Sequence, residues 1–133
     1  MKSKGIGDSR MQELWRKAVR LKSGGKCVLQ SQDCSGSLEC DHFFGRRHKA
    51  TRHDHRNGNL LCQYHHLKKH AFMIDLIKIV GDDFGVLQTL TISAFPDVCL
   101  KLGVTKTEFL VNQKQNLIEY IKSKEEEHAN LEG

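Results

Sequence analysis

The histidines of this chain are concentrated in one stretch, residues 40–70, whose sequence is CDHFFGRRHKATRHDHRNGNLLCQYHHLKKH. Seven of the eight histidines and two of the five cysteines lie there. Histidine propagates helices and strands no better than average, so folding alone does not require this density. Imidazole is the commonest metal ligand in proteins and exchanges its proton near neutral pH. The stretch therefore indicates metal binding, acid–base chemistry, or both.

Four residues have the types and the spacing of structural zinc ligands. They form two pairs, one on a predicted turn and one at a predicted helix start: Cys27 and Cys34, then Cys62 and His65. Closed tetrahedral zinc sites combine two such short pairs, and the bound metal contributes to folding where the core is small. Cys40 could replace Cys34, and His66 could replace His65. The alternative interpretation is a set of buried thiols without metal.

A second set of residues is typical of a catalytic metal site: Asp41, His42, Asn57, His66 and His70. His66 and His70 stand four apart on a predicted helix and so share one face. A carboxylate and two imidazoles would leave a divalent ion with open positions, as catalysis requires. His42 could then take a proton from water, and Asn57 could orient the His42 imidazole. The ion could be Mg²⁺, Mn²⁺, Ni²⁺ or Zn²⁺.

The string LECDHFFGR…RNGNLLCQYHHLKKH resembles the motif of the HNH endonucleases, whose fold is the ββα-metal finger. The resemblance implies that Asp41 binds the catalytic metal, that His42 is the general base and that Asn57 is the middle motif residue. It also implies that His66 is the last motif histidine and that His70 is an additional metal-binding histidine. The implied reaction is hydrolysis of DNA phosphodiester bonds, leaving 5′-phosphate and 3′-hydroxyl ends.

The resemblance covers about residues 26–71 and extends to the zinc ligands, which are similar to the zinc knuckles that flank the motif in this family. Two features depart from the usual pattern. His65 stands where the family usually has cysteine, and the spacing from Cys27 to Cys34 is longer than usual. The small size and the cysteine arrangement are similar to those of recombination nucleases of phages and prophages.

The charge of the chain is divided unevenly. Residues 1–70 contain 15 Lys and Arg against 6 Asp and Glu, whereas residues 71–133 contain 6 against 10. A basic half that also contains the histidines predicts a polyanionic partner, which we expect to be DNA, with RNA as an alternative. A merely solvated surface would also explain the charge. The expected phosphate-binding residues are Arg46, Arg47, Lys49, Arg52, Arg56, Lys68 and Lys69.

The predicted fold class is α+β, in three segments: a basic N-terminal helix in 1–25, an HNH ββα-metal module in 26–80, and a helical extension in 81–133. The predicted elements are helices over 9–22, 62–80, 97–102 and 105–127 and a short strand over 38–44. Residues 84–94 fit a helix or a strand, and the helix is preferred because the rest of this half is helical. Thr105 and Glu108 predict a capping box at the start of the last helix. The C-terminal helices are expected to pack against the rest of the chain, with a homodimer interface as the alternative.

Composition also limits the class of protein. No apolar run approaches the ~20 residues that span a bilayer. The first residues lack the apolar stretch of a signal peptide, so we expect a cytoplasmic protein with no membrane partner. An odd number of cysteines without an export signal favours metal ligation over disulfides. The predicted function is a metal-dependent HNH endonuclease, and the alternatives are a non-catalytic zinc-containing module that binds nucleic acid and a protein-interaction module.

Overall fold

The computed structural model describes residues 8–132 and has an α+β architecture with a two-stranded antiparallel sheet, which confirms the predicted class. The elements in chain order are α1 (Asp8–Lys22), β1 (Leu38–His42), β2 (Gly58–Cys62), α2 (Gln63–Leu67), α3 (Met73–Val80), α4 (Asp83–Ile92), α5 (Phe95–Leu102) and α6 (Lys106–Glu132). Two 3-10 turns, at His55–Asn57 and Lys69–Phe72, join them. The first seven residues of the predicted N-terminal segment lie outside the described range.

The sheet brings the end of β1 beside the start of β2. In the antiparallel register Asp41 pairs with Asn59, and His42 pairs with Gly58. All five residues of β2 are buried, so this strand runs through the interior of the protein. The predicted strand over 38–44 ends two residues early, because the chain turns there and the Phe44 N–H binds the side chain of Asn57 at 2.7 Å.

The larger core lies between α1 and α6. It is formed by one face of α1 together with two residues of α6: Met11, Leu14, Trp15, Ala18 and Val19, with Leu117 and Ile121. The first and last helices therefore pack on each other, and α1 also contacts both strands. A smaller cluster around Cys27, Leu61, Cys62 and Leu76 lies on the other side of the sheet.

Trp15 links α1 to both strands and to the loop between them. The indole is fully buried and donates a hydrogen bond from Nε1 to the carbonyl of Asp54 at 2.8 Å. Its ring stacks on the His42 imidazole with the ring centroids 3.9 Å apart and the planes 8° apart. Gly58 makes this approach possible, since a Cβ there would collide with Val19 and would lie 2.7 Å from Trp15. The lack of a side chain at Gly58 lets α1 hold His42 in place.

Replacing Gly58 with alanine is expected to destabilise the protein by about 1–3 kcal/mol, because the added methyl group must push against a packed indole. Urea denaturation followed by tryptophan fluorescence measures the free energy of unfolding. Gly45→Ala is the matched control, since a Cβ at Gly45 meets nothing within 4 Å. Equal free energies of unfolding for the two variants would contradict the close approach of α1 to β2.

The prediction of one continuous helix over 62–80 is wrong. The α-helix stops at Leu67, the chain makes a 3-10 turn, and a new helix begins at Met73. Only the later part of the expected apolar stripe faces a core, because Leu76 is fully buried whereas Leu67 is 76% exposed. The break instead brings Phe72 edge-on against the His65 ring, at 4.8 Å between centroids, and brings Lys69 to Asp41. Local tertiary contacts therefore override the periodicity.

The helical C-terminal prediction is confirmed in its elements. The capping box forms in both directions: the Thr105 N–H donates to Glu108 Oε1 at 2.8 Å, and the Glu108 N–H donates to Thr105 Oγ1 at 3.0 Å. The last helix runs on to Glu132, beyond its predicted end near Glu127. None of the helices between residues 8 and 132 combines the length and the apolar content needed to cross a bilayer.

Candidate metal centre and the adjoining histidine site

The four predicted zinc ligands converge. One ligand atom from each of Cys27, Cys34, Cys62 and His65 lies within 4.8 Å of all the others. The His65 Nδ1 is 3.5 Å from the sulfurs of Cys27 and Cys34 and 3.2 Å from that of Cys62. Tetrahedral zinc, with bonds of about 2.3 Å to sulfur and 2.0 Å to nitrogen, separates these atom types by roughly 3.5 Å. The cluster could therefore hold a structural metal such as zinc.

Local structure explains why the His65 ring faces the sulfurs. Cys62 ends β2 and is the N-cap of α2, where its Sγ accepts a hydrogen bond from the His65 N–H at 3.5 Å. Ser31 Oγ lies 3.4 Å from the other ring nitrogen, Nε2, and so stabilises the orientation that leaves Nδ1 for a metal. Tyr64 and Phe72 close the ring in from both sides with edge-on contacts.

The electrostatics of the cluster favour a thiolate at Cys62. Burial alone would raise the pKa of Cys62, but the backbone N–H groups of His65 and Ser35 and the His65 imidazole lower it to about 6. Burial raises the pKa of Cys27 above its usual value. The thiolate is the form that binds metal, so metal uptake is expected to release a proton from Cys27.

The structure distinguishes between the alternatives left open at this cluster. Cys40 lies on the other side of the sheet, where its Sγ donates to the carbonyl of Arg16 at 3.6 Å. His66 points away from the sulfurs and contacts Glu39 and Asp41 on β1. Cys34 and His65 are therefore the members that the fold brings to the cluster.

The second predicted site is assembled in part, around Asp41. This carboxylate is 7% exposed, and its Oδ1 lies 3.4 Å from the His66 Nε2. Neighbouring ligands of an octahedral divalent ion are about 3 Å apart, so the two donors fit a shared ion that keeps several positions open. His70 lies on the exposed 3-10 turn, and Asp41, His66 and His70 do not converge as a ligand group among residues 8–132.

His42 is held so that one ring nitrogen is available. The Nε2 lies 3.0 Å from the carbonyl oxygen of Arg52, and since a carbonyl only accepts, Nε2 carries the proton. The lone pair of the neutral ring is then on Nδ1. Burial lowers the pKa of His42, an effect that the hydrogen bond to Arg52 partly offsets, so the neutral ring is favoured. A neutral imidazole with a free lone pair can act as a general base.

Asn57 is positioned differently from the prediction that it orients the His42 imidazole. It is fully buried, and its amide holds the loop after β1: Oδ1 accepts from the Phe44 N–H, and Nδ2 donates to the carbonyls of Phe44 and Thr51 at 2.9 and 3.1 Å. The loop so closed contains Arg52, whose carbonyl orients His42. Among the described contacts, Asn57 acts on His42 through the loop and not by direct hydrogen bonding.

The seven predicted phosphate-binding residues fall into two groups. Exposed side chains with room to contact a backbone are Arg46, Arg47, Lys49 and Lys68. The others are already engaged or half-buried. Arg56 pairs with Asp54 through two hydrogen bonds of 2.9 and 2.7 Å, and Lys69 pairs with Asp41. Arg52 is half-buried within the loop.

Two residues of the site were missed at the level of sequence. Glu39 Oε2 lies 2.8 Å from the His66 Nδ1, which would fix the ring so that Nε2 faces Asp41. Its position two residues before Asp41 on a predicted strand was the available signal, because alternate residues share a face. The role of Trp15 as the platform for His42 had no local signal, since the two residues belong to different elements.

One cavity is lined by none of the predicted metal ligands and not by His42. It has a volume of about 690 Å³ and is enclosed by the loop at Ala50 and His53–Arg56, by Leu90 and by α6. Most of its surface is apolar.

The chain matches no protein-family model, no curated protein and no solved structure in the comparisons made with known proteins.

Proposed function

We propose that the protein is a metal-dependent HNH-type endonuclease that hydrolyses phosphodiester bonds in DNA. The observation that carries the proposal is the placement of three groups at one end of the sheet. The Asp41 carboxylate lies 3.4 Å from the His66 imidazole. His42 is the next residue along β1; its Nε2 is bound to the carbonyl of Arg52, which leaves Nδ1 to accept a proton. The order β1, β2, α2 is that of a ββα-metal finger, which supports the same assignment.

The side chains suit base-assisted hydrolysis. His42 would take a proton from the attacking water at Nδ1, while its Nε2–H stays bonded to the carbonyl of Arg52, which stabilises the imidazolium that forms. Contact with the Trp15 ring face stabilises the same positive charge. A divalent ion held by Asp41 and His66 would neutralise charge on the scissile phosphate and on the leaving oxygen. The Cys₃His cluster would hold the start of α2, and with it His66, against the sheet.

The exposed cations supply the contact with nucleic acid. Arg46, Arg47 and Lys49 lie on the loop that follows β1, and Lys68 lies beside His66 at the end of α2. Contacts of this kind bind phosphates without reading sequence, and the resulting affinity falls as salt rises. RNA is the alternative substrate on the same grounds.

A non-catalytic zinc module that binds nucleic acid is the second candidate, and one observation favours it. The Asp41 carboxylate is already paired with the Lys69 ammonium, at 2.9 and 3.1 Å. A protein without a catalytic ion would keep this pair permanently. Phosphodiester cleavage that requires a divalent ion distinguishes the two candidates.

The test is nicking of supercoiled plasmid by zinc-loaded protein in the presence of Mg²⁺, Mn²⁺, Ni²⁺ or EDTA. We expect relaxed circles with at least one of the ions and none with EDTA, because the attack needs charge neutralisation at the phosphate. Branched DNA, single-stranded DNA and RNA are tested in parallel. Retained binding without cleavage of any of these substrates would favour the binding module.

A further inference from the structure

We infer that Lys69 occupies the cation position beside Asp41 in the metal-free protein, and that a divalent ion binds there by displacing the ammonium towards a substrate phosphate. The inference rests on the proposed nuclease site and assigns Lys69 to its metal position. The sequence had suggested for Lys69 only a contact with the DNA backbone.

The contacts of the Lys69 ammonium are those of a small cation in an oxygen site. Its Nζ lies 2.9 Å from Asp41 Oδ2, 3.1 Å from Asp41 Oδ1 and 2.9 Å from the carbonyl oxygen of His42. The ammonium donates hydrogen bonds to Asp41 Oδ1 and to the His42 carbonyl. Asp41 Oδ2 is close enough for an ion pair but accepts no hydrogen bond. Oxygen atoms are also the ligands that Mg²⁺ and Mn²⁺ prefer. The His66 Nε2 approaches the same Oδ1, so the ammonium and an ion on His66 would compete for one carboxylate.

Burial explains why the metal-free site needs a cation of its own. The Asp41 side chain is 8% exposed, and a carboxylate so placed is costly without a positive partner. Lys69 supplies that charge from the 3-10 turn after α2, three residues after His66. Once a divalent ion is bound, the ammonium is repelled by it and is no longer needed at Asp41.

The position of Lys69 in the chain allows the exchange. Lys69 begins the 3-10 turn that follows α2, and its side chain is 22% exposed, so the ammonium can reach the surface by rotating its flexible stem. Lys68 is exposed beside it, which places the released charge next to a predicted phosphate contact. DNA would offer Lys69 a new partner, so that DNA and metal strengthen each other's binding.

Binding of Mn²⁺ to the zinc-loaded full chain, followed by electron paramagnetic resonance of the free ion, tests the inference without any cleavage. Lys69→Met is expected to bind Mn²⁺ about tenfold more tightly than the wild type, because the competing ammonium is gone. Lys68→Met is the matched control: it removes the same charge one residue away, from a lysine that lies over the Tyr64 ring at 5.4 Å. An affinity of Lys69→Met no tighter than that of Lys68→Met would overturn the inference.

A second measurement keeps the inference testable if loss of the Lys69 charge unfolds the protein. The protein used is His42→Ala, which we expect to bind DNA without cutting it. Its Mn²⁺ affinity is measured with and without a DNA duplex, and the Mn²⁺ bound by the duplex alone is subtracted. The duplex should tighten Mn²⁺ binding, and no change would overturn the inference. If Lys69→Met binds Mn²⁺ more tightly but the wild type never cuts DNA, the proposed nuclease activity is rejected and the role of Lys69 stands. If the wild type cuts DNA but Lys69→Met binds Mn²⁺ no more tightly, only the role of Lys69 is rejected.

Discussion

Alanine at position 42 is expected to lower metal-dependent nicking by roughly 10²- to 10⁴-fold, the usual contribution of a positioned general base. Nδ1 of His42 is the available ring nitrogen at the end of β1, since Nε2 is bound to the carbonyl of Arg52. Zinc content and DNA affinity should stay at the parental level, because His42 belongs neither to the Cys₃His cluster nor to the exposed cations. Initial nicking rates at saturating metal, with a gel-shift titration beside them, measure the two effects separately.

His42 also packs on Trp15, so the alanine variant alone would not separate chemistry from structure. His42→Phe keeps an aromatic ring for the stack and removes both nitrogens, and it should be as inactive as the alanine variant. His48→Ala is the control, since His48 lies on the same loop and the one hydrogen bond described for its imidazole is with its neighbour Arg47. A His42 variant that nicks at the parental rate would exclude His42 as the base.

Replacing Cys62 with serine should remove the structural metal and a large part of the stability. Cys62 is both a member of the Cys₃His cluster and the N-cap of α2, and its sulfur is the nearest of the three to the His65 Nδ1, at 3.2 Å. We expect bound zinc to fall from roughly one ion per chain to a small fraction of that, with a melting temperature lower by roughly 10 °C or more. Nicking should be lost as well, because α2 carries His66.

Cys40→Ser is the matched control for this variant. Cys40 is a cysteine of the same stretch, but its sulfur faces the carbonyl of Arg16 on the opposite side of the sheet. Zinc content from elemental analysis and melting followed by circular dichroism are compared for the two variants. Equal zinc content and melting temperature in Cys62→Ser and the wild type would show that the cluster is a set of buried thiols.

The two predictions differ in what they remove. Three interactions position His42: its ring stacks on Trp15, its Nε2 binds the carbonyl of Arg52, and its backbone pairs with Gly58 in the sheet. Phenylalanine at position 42 should therefore leave the surrounding structure in place, because it keeps a ring against Trp15. The Cys₃His cluster connects the turn after α1 to the start of α2, so its loss should disturb the positions of several elements together.

Much of the secondary structure could be predicted because its causes are local. The capping box at Thr105 and Glu108 involves residues three apart, and the glycines at 24 and 25 end α1 with positive φ angles of 66° and 73°. The break after Leu67 could not be predicted in this way. It depends on Phe72 and Lys69 contacting partners outside the helix, whereas the apolar periodicity indicated a continuous one.

The sequence by itself determined which residue types could bind metal, that cysteines and histidines form two sets, and that the fold is α+β. Only the tertiary structure decided which members meet. It selected Cys34 over Cys40, placed Asn57 in the loop rather than on His42, and paired Lys69 with Asp41 across 28 positions. Spacing along a chain predicts which residues are neighbours within one helix or strand. These pairs instead join different elements, and they form because a buried polar or charged group needs a partner.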